Sequence, residues 1–184
     1  VRRLLLLILW PRAVWSDLGA HPVPVRRLVL GILLPLAAGI AAAQQIGWSW
    51  LNTDRSPQYG WSSQPLFGDA SLAVVFGLAL AGPLALAATI MWLAPWCGGR
   101  RDWARSVSVA TWGTLPWLVA ACSLFFMPMI LVCMAAAALC FRLHAIGVCE
   151  LLGVPPEDGA DLVIGSWLVM GAGASFTGLL LELL

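Results

Sequence analysis

The sequence predicts an all-α membrane protein, a helical bundle of five transmembrane helices preceded by an N-terminal interfacial helix. Three observations predict it. Hydrophobic residues make up 61% of the chain and charged residues 10%, against about 25% charged in an ordinary soluble domain. The apolar residues gather into five stretches of about twenty, the length a helix needs to cross a hydrocarbon core about 30 Å thick. Of ten basic residues, all but Arg55 (Arg2, Arg3, Arg12, Arg26, Arg27, Arg100, Arg101, Arg105 and Arg142) fall on one side of the layout those stretches imply.

Residues 1–20 read as a separate amphipathic unit. Arg2 and Arg3 precede a seven-residue apolar run, 4–10, that is too short to cross a bilayer, and Pro11 then introduces Arg12, Trp15 and Asp17. A helix lying in the membrane interface is expected, with Trp10 and Trp15 at headgroup level. The run lacks a small-residue cleavage site and is not read as a cleavable signal. His21-Pro22-Val23-Pro24 is the turn into the first span.

Residues 21–184 carry the spans, at about 28–48, 70–93, 107–127, 129–149 and 162–184. The stretch 107–149 has no charge before Arg142, yet as one helix it would reach about 65 Å, roughly twice the hydrocarbon thickness. It must fold back, and Met127-Pro128-Met129 is the natural corner, because proline lacks an N–H and disfavours helix in the residue before it. Pro35, Pro83 and Pro116 fall inside spans and are expected to kink them.

Short cytoplasmic loops carry the excess positive charge. This rule puts the N-terminus and the loop holding Arg100, Arg101 and Arg105 in the cytoplasm, and the C-terminus outside. Tryptophan concentrates at membrane–water interfaces and marks the same boundaries: Trp48, Trp50 and Trp61 outside, Trp92, Trp96 and Trp103 inside. A bacterial inner membrane is the expected location. A net charge of +1 leaves no basic surface for nucleic acid.

Few residues suggest chemistry. Arg142, His144 and Glu150 are the candidate functional polar residues, since an ionisable group within a span is costly and marks a site by default; Glu182 lies near the outer end of the last span. Snorkelling or end-capping explains the glutamates and Arg142, whereas His144 could bridge to a neighbouring helix or titrate near neutral pH. Cys133, Cys140 and His144 share one helix face, and with Met127 and Met129 nearby they would suit a soft metal such as Cu(I). The paired spacing of a metal site is missing, and free cysteine packs as a small hydrophobe; no metal or cofactor is expected. Gly173-Ala174-Ser175-Phe176 resembles a membrane serine nucleophile with His144 as its base, but the local glycine pattern around a suitable histidine is absent, as is any His-Glu-x-x-His. Helix packing is the simpler reading of Gly77, Ala81, Gly171, Gly173, Ser175 and Gly178, small residues that let backbones approach where lipid supplies no hydrophobic drive. The outer loop 49–69 mixes Trp50, Tyr59, Trp61 and Phe67 with Pro, Ser, Gly and Gln, which suits either a partner-docking cap or a loop anchored by its aromatics.

Leu9-Trp10-Pro11-Arg12-Ala13-Val14-Trp15, followed by a span containing Leu33-Leu34-Pro35-Leu36, resembles the opening of bacterial members of the Yip family, the Ypt-interacting-protein family of five-span membrane proteins. Phe141-Arg142-Leu143-His144-Ala145-Ile146-Gly147-Val148, then Leu151-Leu152-Gly153-Val154-Pro155-Pro156-Glu157-Asp158-Gly159-Ala160, is similar to that family's aromatic–polar helix end and its proline–acidic–alanine loop. The resemblance implies a cytoplasmic N-terminus and an outward C-terminus. In eukaryotic members it also implies small GTPases of membrane traffic and membrane shaping, but the acidic–aromatic–Gly-Pro motif those members carry ahead of the first span is absent, which puts GTPase binding in doubt. The expected function is that of a Yip-like, non-enzymatic, membrane-organising or accessory subunit, with other membrane proteins, a second copy and membrane lipids as partners. The alternative is a small-solute or ion permease acting as an oligomer; it requires polar residues along several spans, and the first two spans offer almost none.

Overall fold

The computed structural model describes residues 6–7, 9–53, 72–122 and 130–183, with side chains described for 6–7, 9–43, 72–120, 132 and 134–173. Helix is the regular structure throughout, and there is no strand among the described residues. In order, the elements are α1 (Pro11–Ala20), α2 (Val25–Leu28), a π-helical turn (Val29–Leu33), α3 (Leu34–Thr53), α4 (Leu72–Leu93), a 3-10 turn (Ala94–Cys97), α5 (Trp103–Cys122), α6 (Ile130–Leu152) and α7 (Gly159–Leu183).

Local chemistry explains the boundaries. Pro11 occupies the first position of α1, where its missing N–H costs nothing. Pro22 and Pro24 cannot continue that helix. The first long helix then runs from α2 through the π turn into α3, and the wide turn sits just before Pro35, whose ring would otherwise press on the Gly31 carbonyl. After α4 the chain closes with a Schellman motif: Gly98 is left-handed (φ 69°), its N–H bonds Pro95 O at 3.3 Å, and the Gly99 N–H bonds Ala94 O at 2.8 Å. Asp102 caps α5, accepting the Arg105 N–H at 3.1 Å on Oδ1. Gly153 (φ 70°) ends α6, with its N–H on Cys149 O.

Among the described residues three helices are long and apolar enough to cross a membrane: Val25–Ala43, Leu72–Cys97 and Met134–Leu152, with Gly159–Gly173 a shorter apolar helix. They match the first, second and fourth stretches expected from the sequence. Helices α5 and α7 occupy the third and fifth. The corner at Met127-Pro128-Met129 lies outside the described residues.

Helix α5 is the centre of the molecule. It packs most extensively on α6, then on α4, and also touches α3 and α2. Every residue from Ser106 to Gly113 is buried. The principal core joins Val107, Val109, Ala110, Trp112 and Leu115 of α5 to Leu86, Ala87 and Ile90 of α4, Leu143, Val148 and Leu151 of α6, and Leu162 and Val163 of α7. A second cluster, Leu33, Ile40, Ala41, Val75 and Leu118, closes the far side of α3 and α4.

One expectation needs correction. Trp15 does not face headgroups: it is fully enclosed, and its indole lies over Gly147, where an added Cβ would stand 3.0 Å from the ring. An amphipathic pattern reports an apolar face without saying whether lipid or protein covers it. Gly77, Ala81, Gly171 and Gly173 are exposed, and an added Cβ at any of these three glycines would meet nothing among the described residues within 4 Å. Close approach occurs instead at Gly99, Gly113, Gly147 and Gly159. Small-residue spacing identifies a stripe on a helix, and the tertiary fold decides which stripe is covered. The side chains at Ser175 and Gly178 lie outside the described residues.

Candidate functional site

His144 is the best-placed candidate from the sequence, and α5 and α6 together bury it. The two helices run antiparallel, so that Arg105 meets Leu151 at one end and Gly113 meets His144 near the middle. The imidazole Nδ1 lies 2.7 Å from Cys140 O, one turn back on the same helix. A carbonyl can only accept, so Nδ1 carries the proton and Nε2 presents a lone pair. That Nε2 is buried and has no hydrogen-bond partner among the described residues. It faces the α5 backbone at Gly113, where an added Cβ would stand 2.7 Å from it. Trp167 of α7 meets the ring edge-on at 6.0 Å, and Phe141 meets the same indole at 5.8 Å. The bridge to the neighbouring helix is made by packing on Gly113 and by the backbone of Ala110 on α5, while the Cys140 hydrogen bond stays within α6.

The other polar candidates are not brought to it. Arg142 lies two residues away on the exposed side of α6, and Glu150 is exposed at the helix end. Cys140 is buried on the His144 face, while Cys133, Met127 and Met129 have no described side chains. No group of three His, Cys, Asp or Glu side chains converges among the described residues. Ser166, a buried serine of α7, donates its hydroxyl to Leu162 O at 2.8 Å. Ser108 and Thr114 of α5 likewise donate to Ala104 O and Ala110 O. These hydroxyls satisfy helix carbonyls rather than facing a shared cavity. Trp50, Tyr59, Trp61 and Phe67 of the outer loop lie outside the residues whose side chains are described.

A second polar constellation, which the sequence reading used only to orient the chain, joins the α4–α5 loop to the end of α6. Arg105 lies 3.4 Å from Asp102 Oδ2 through Nε and donates through Nη1 to Leu151 O at 2.8 Å. The Arg100 N–H bonds Leu152 O at 2.8 Å. The last carbonyls of α6, which have no intrahelical donor, thus receive a guanidinium and a backbone amide, and the cation sits at the negative end of the helix dipole. Glycines seal the joint: a Cβ at Gly99 would fall 2.6 Å from Val154, and one at Gly159 would fall 2.5 Å from Cys149 Sγ. The signal was legible in Asp102-x-x-Arg105, an N-cap with its partner three residues on.

Around this joint the surface is aromatic and of mixed charge, with Glu150, Glu157 and Asp161 exposed beside the arginines. Arg100, Arg101, Arg12, Arg26 and Arg27 are exposed. Trp92 and Trp96 are 52% and 78% exposed, with ring centroids 6.0 Å apart. On α1, His21 Nδ1 lies 3.4 Å from Asp17, and Leu6, Trp10, Ala13, Val14 and Asp17 line a shallow open groove.

The constellation holds helices together. No curated protein and no solved structure matches the chain. The family model described as the Yip1 domain matches residues 5–177, a range that takes in α1, the α5–α6 seam and most of α7. With nearly its whole length matched to that model, and with helices apolar enough to span a bilayer, the chain is an integral membrane protein belonging to the Yip1 family.

Proposed function

We propose that the protein is a non-enzymatic membrane-organising or accessory subunit, a five-span bundle that acts by contact with other membrane proteins or with a second copy of itself. The observation that carries this reading is the enclosure of His144. The side chain best suited to chemistry is packed between Gly113 and Trp167, and its polar neighbours are backbone groups, Cys140 O on its own helix and Ala110 on α5. Asp102 and Arg105 serve a cap and a joint, and Ser108, Thr114 and Ser166 bond helix carbonyls, while Leu72, Val74, Leu78, Ile164, Leu168 and Val169 offer apolar surface on α4 and α7. In the five-span arrangement α5 crosses in the middle, sheltered from lipid by α4 and α6, and α7 crosses beside α4. The arginine-bearing end faces the cytoplasm of a bacterial inner membrane, and the C-terminus lies outside.

Gentle extraction from the native membrane followed by mass spectrometry of intact assemblies tests the role. A stoichiometric partner chain, or a stable homo-oligomer without solute flux in vesicles, is expected. A monomer that catalyses flux overturns the proposal. A C-terminal reporter that is active only outside the cytoplasm tests the span count, and an inactive one excludes five.

A further inference from the structure

We infer that the α4–α5 corner is a binding site for the phosphodiester headgroup of an anionic phospholipid, with Arg100 and Arg101 as the anion ligands and Trp92 and Trp96 as the seat for the lipid's glycerol region. The inference draws on the proposed function only for the membrane location.

Three observations place the site. The corner is rigid: the Schellman turn at Gly98 and Gly99, the Arg100 N–H on Leu152 O, and the Gly99–Val154 contact fix its backbone on the end of α6. Arg105 is held by Asp102 and Leu151 O. Asp102, the nearest carboxylate in sequence, is engaged by Arg105 and by the α5 cap, and neither Arg100 nor Arg101 pairs with a described carboxylate; both are exposed. Arginine presents a planar fork that binds phosphate oxygens in pairs, so two exposed arginines on a fixed turn supply donors for an anion.

The third observation selects the source of the phosphate. Leu72–Cys97 is apolar enough to span a bilayer, and the arginines follow directly at its end. Trp92 lies on the last turn of α4 and Trp96 on the 3-10 turn that follows, both exposed and in mutual contact. Indoles favour the depth of the lipid carbonyl and glycerol groups. A guanidinium pair set directly beyond them matches the order glycerol, then phosphate, of a phospholipid, and a free phosphate would have no use for the exposed rings. Glu157, Asp158 and Asp161 stand on the neighbouring turn and the start of α7, with Asp158 and Asp161 close to Cys97 on the corner itself, so carboxylates bound the arginine pair on that side.

The test is native mass spectrometry of the full chain released from vesicles of phosphatidylglycerol and phosphatidylcholine in equal amounts. Wild-type protein should retain phosphatidylglycerol preferentially. R100Q/R101Q should lose that preference by about fivefold per arginine, whereas R26Q/R27Q, which removes equal charge from the same end, should keep it within about twofold. W96S should weaken retention of both lipids. Preference unchanged in R100Q/R101Q, or lost equally in R26Q/R27Q, overturns the site in favour of a diffuse field. Displacement of the lipid by added glycerol 3-phosphate overturns the assignment to lipid. Helicity by circular dichroism confirms that each variant folds, and partner recovery from native membranes, which tests the proposed function, is read independently.

Discussion

Helices α4 and α5 are neighbours of nearly equal length and opposite design. Helix α4 reads as an unbroken apolar span, yet Leu72, Val74, Leu78 and Trp92 lie exposed along it. Helix α5 carries Arg105, Ser106, Ser108, Thr111 and Thr114, and it is enclosed throughout its central turns. In water the pairing would be reversed. A lipid-facing helix must be apolar all round, whereas a helix surrounded by protein has no such requirement, and in it small residues allow close packing while Ser108 and Thr114 bond its own carbonyls. Apolar character in this chain thus reports contact with lipid more than burial in the core.

The largest contrast should come from the tryptophans. Trp112 of α5 is buried, and Trp92 of α4 is about half exposed. Trp112→Ala should destabilise the bundle by roughly 2 kcal/mol or more, the cavity share of the 3–5 kcal/mol typical of buried Trp→Ala in water, because lipid contributes little transfer energy. Trp92→Ala should change stability by under about 0.5 kcal/mol. Denaturation in mild detergent, followed by helicity, measures both, and equal losses would erase the distinction between the helices.

Glycine exchange gives the next effect. Gly113→Ala sets a methyl group against three atoms of the His144 ring at 2.7–2.9 Å, and overpacking of that kind costs about 1–3 kcal/mol. Gly77→Ala on α4 meets nothing within 4 Å among the described residues and should be neutral or stabilising by up to about 1 kcal/mol through helix propensity. Loss of stability in Gly77→Ala would mean that a second copy or a partner covers that face, which would favour the accessory role.

These pairs also mark how much was legible in the sequence. The positions of the long helices follow from hydropathy, because lipid imposes a simple rule on any segment that crosses it. The start of α5 was less legible. It begins at Trp103 rather than near Val107, since Asp102 and Arg105 form a cap and a clip that hydropathy reads as loop. Helix α7 likewise begins at Gly159, where Pro155 O accepts the Asp158 and Gly159 amides and turns the chain into the helix ahead of its apolar run. His144 stood out as a costly residue, but its partner Gly113 lies on another helix, and no local pattern in the sequence joins them. For Trp15 the residue was noticed and its environment was not, because Gly147, the notch that receives it, is distant in sequence.

The α6 clip should give a smaller, separable effect. Asp102→Ala removes the cap of α5 and the carboxylate that orients Arg105. Loss of an N-cap costs about 0.5–2 kcal/mol, and the partly exposed ion pair adds little. The loss should resist added salt, because the cap and the Arg105 bond to Leu151 O are local hydrogen bonds, whereas a strongly salt-dependent loss would make the ion pair the principal contribution.

The smallest expected effect is the most informative about the seam. His144→Leu removes one hydrogen bond, from Nδ1 to Cys140 O, with a net worth of about 0.5–1.5 kcal/mol. It also removes Nε2, a buried acceptor without a described partner, whose desolvation costs about 1–3 kcal/mol. Cys140 O keeps the backbone amide one turn on, so no new group is stranded. The two contributions oppose each other, and stability should shift by no more than about 1 kcal/mol in either direction. Partner recovery should be unchanged as well, because the His144 side chain is buried within the bundle. A variant that keeps its stability but loses function would show that the Nε2 lone pair is used for chemistry, and the α5–α6 seam would then be an active site.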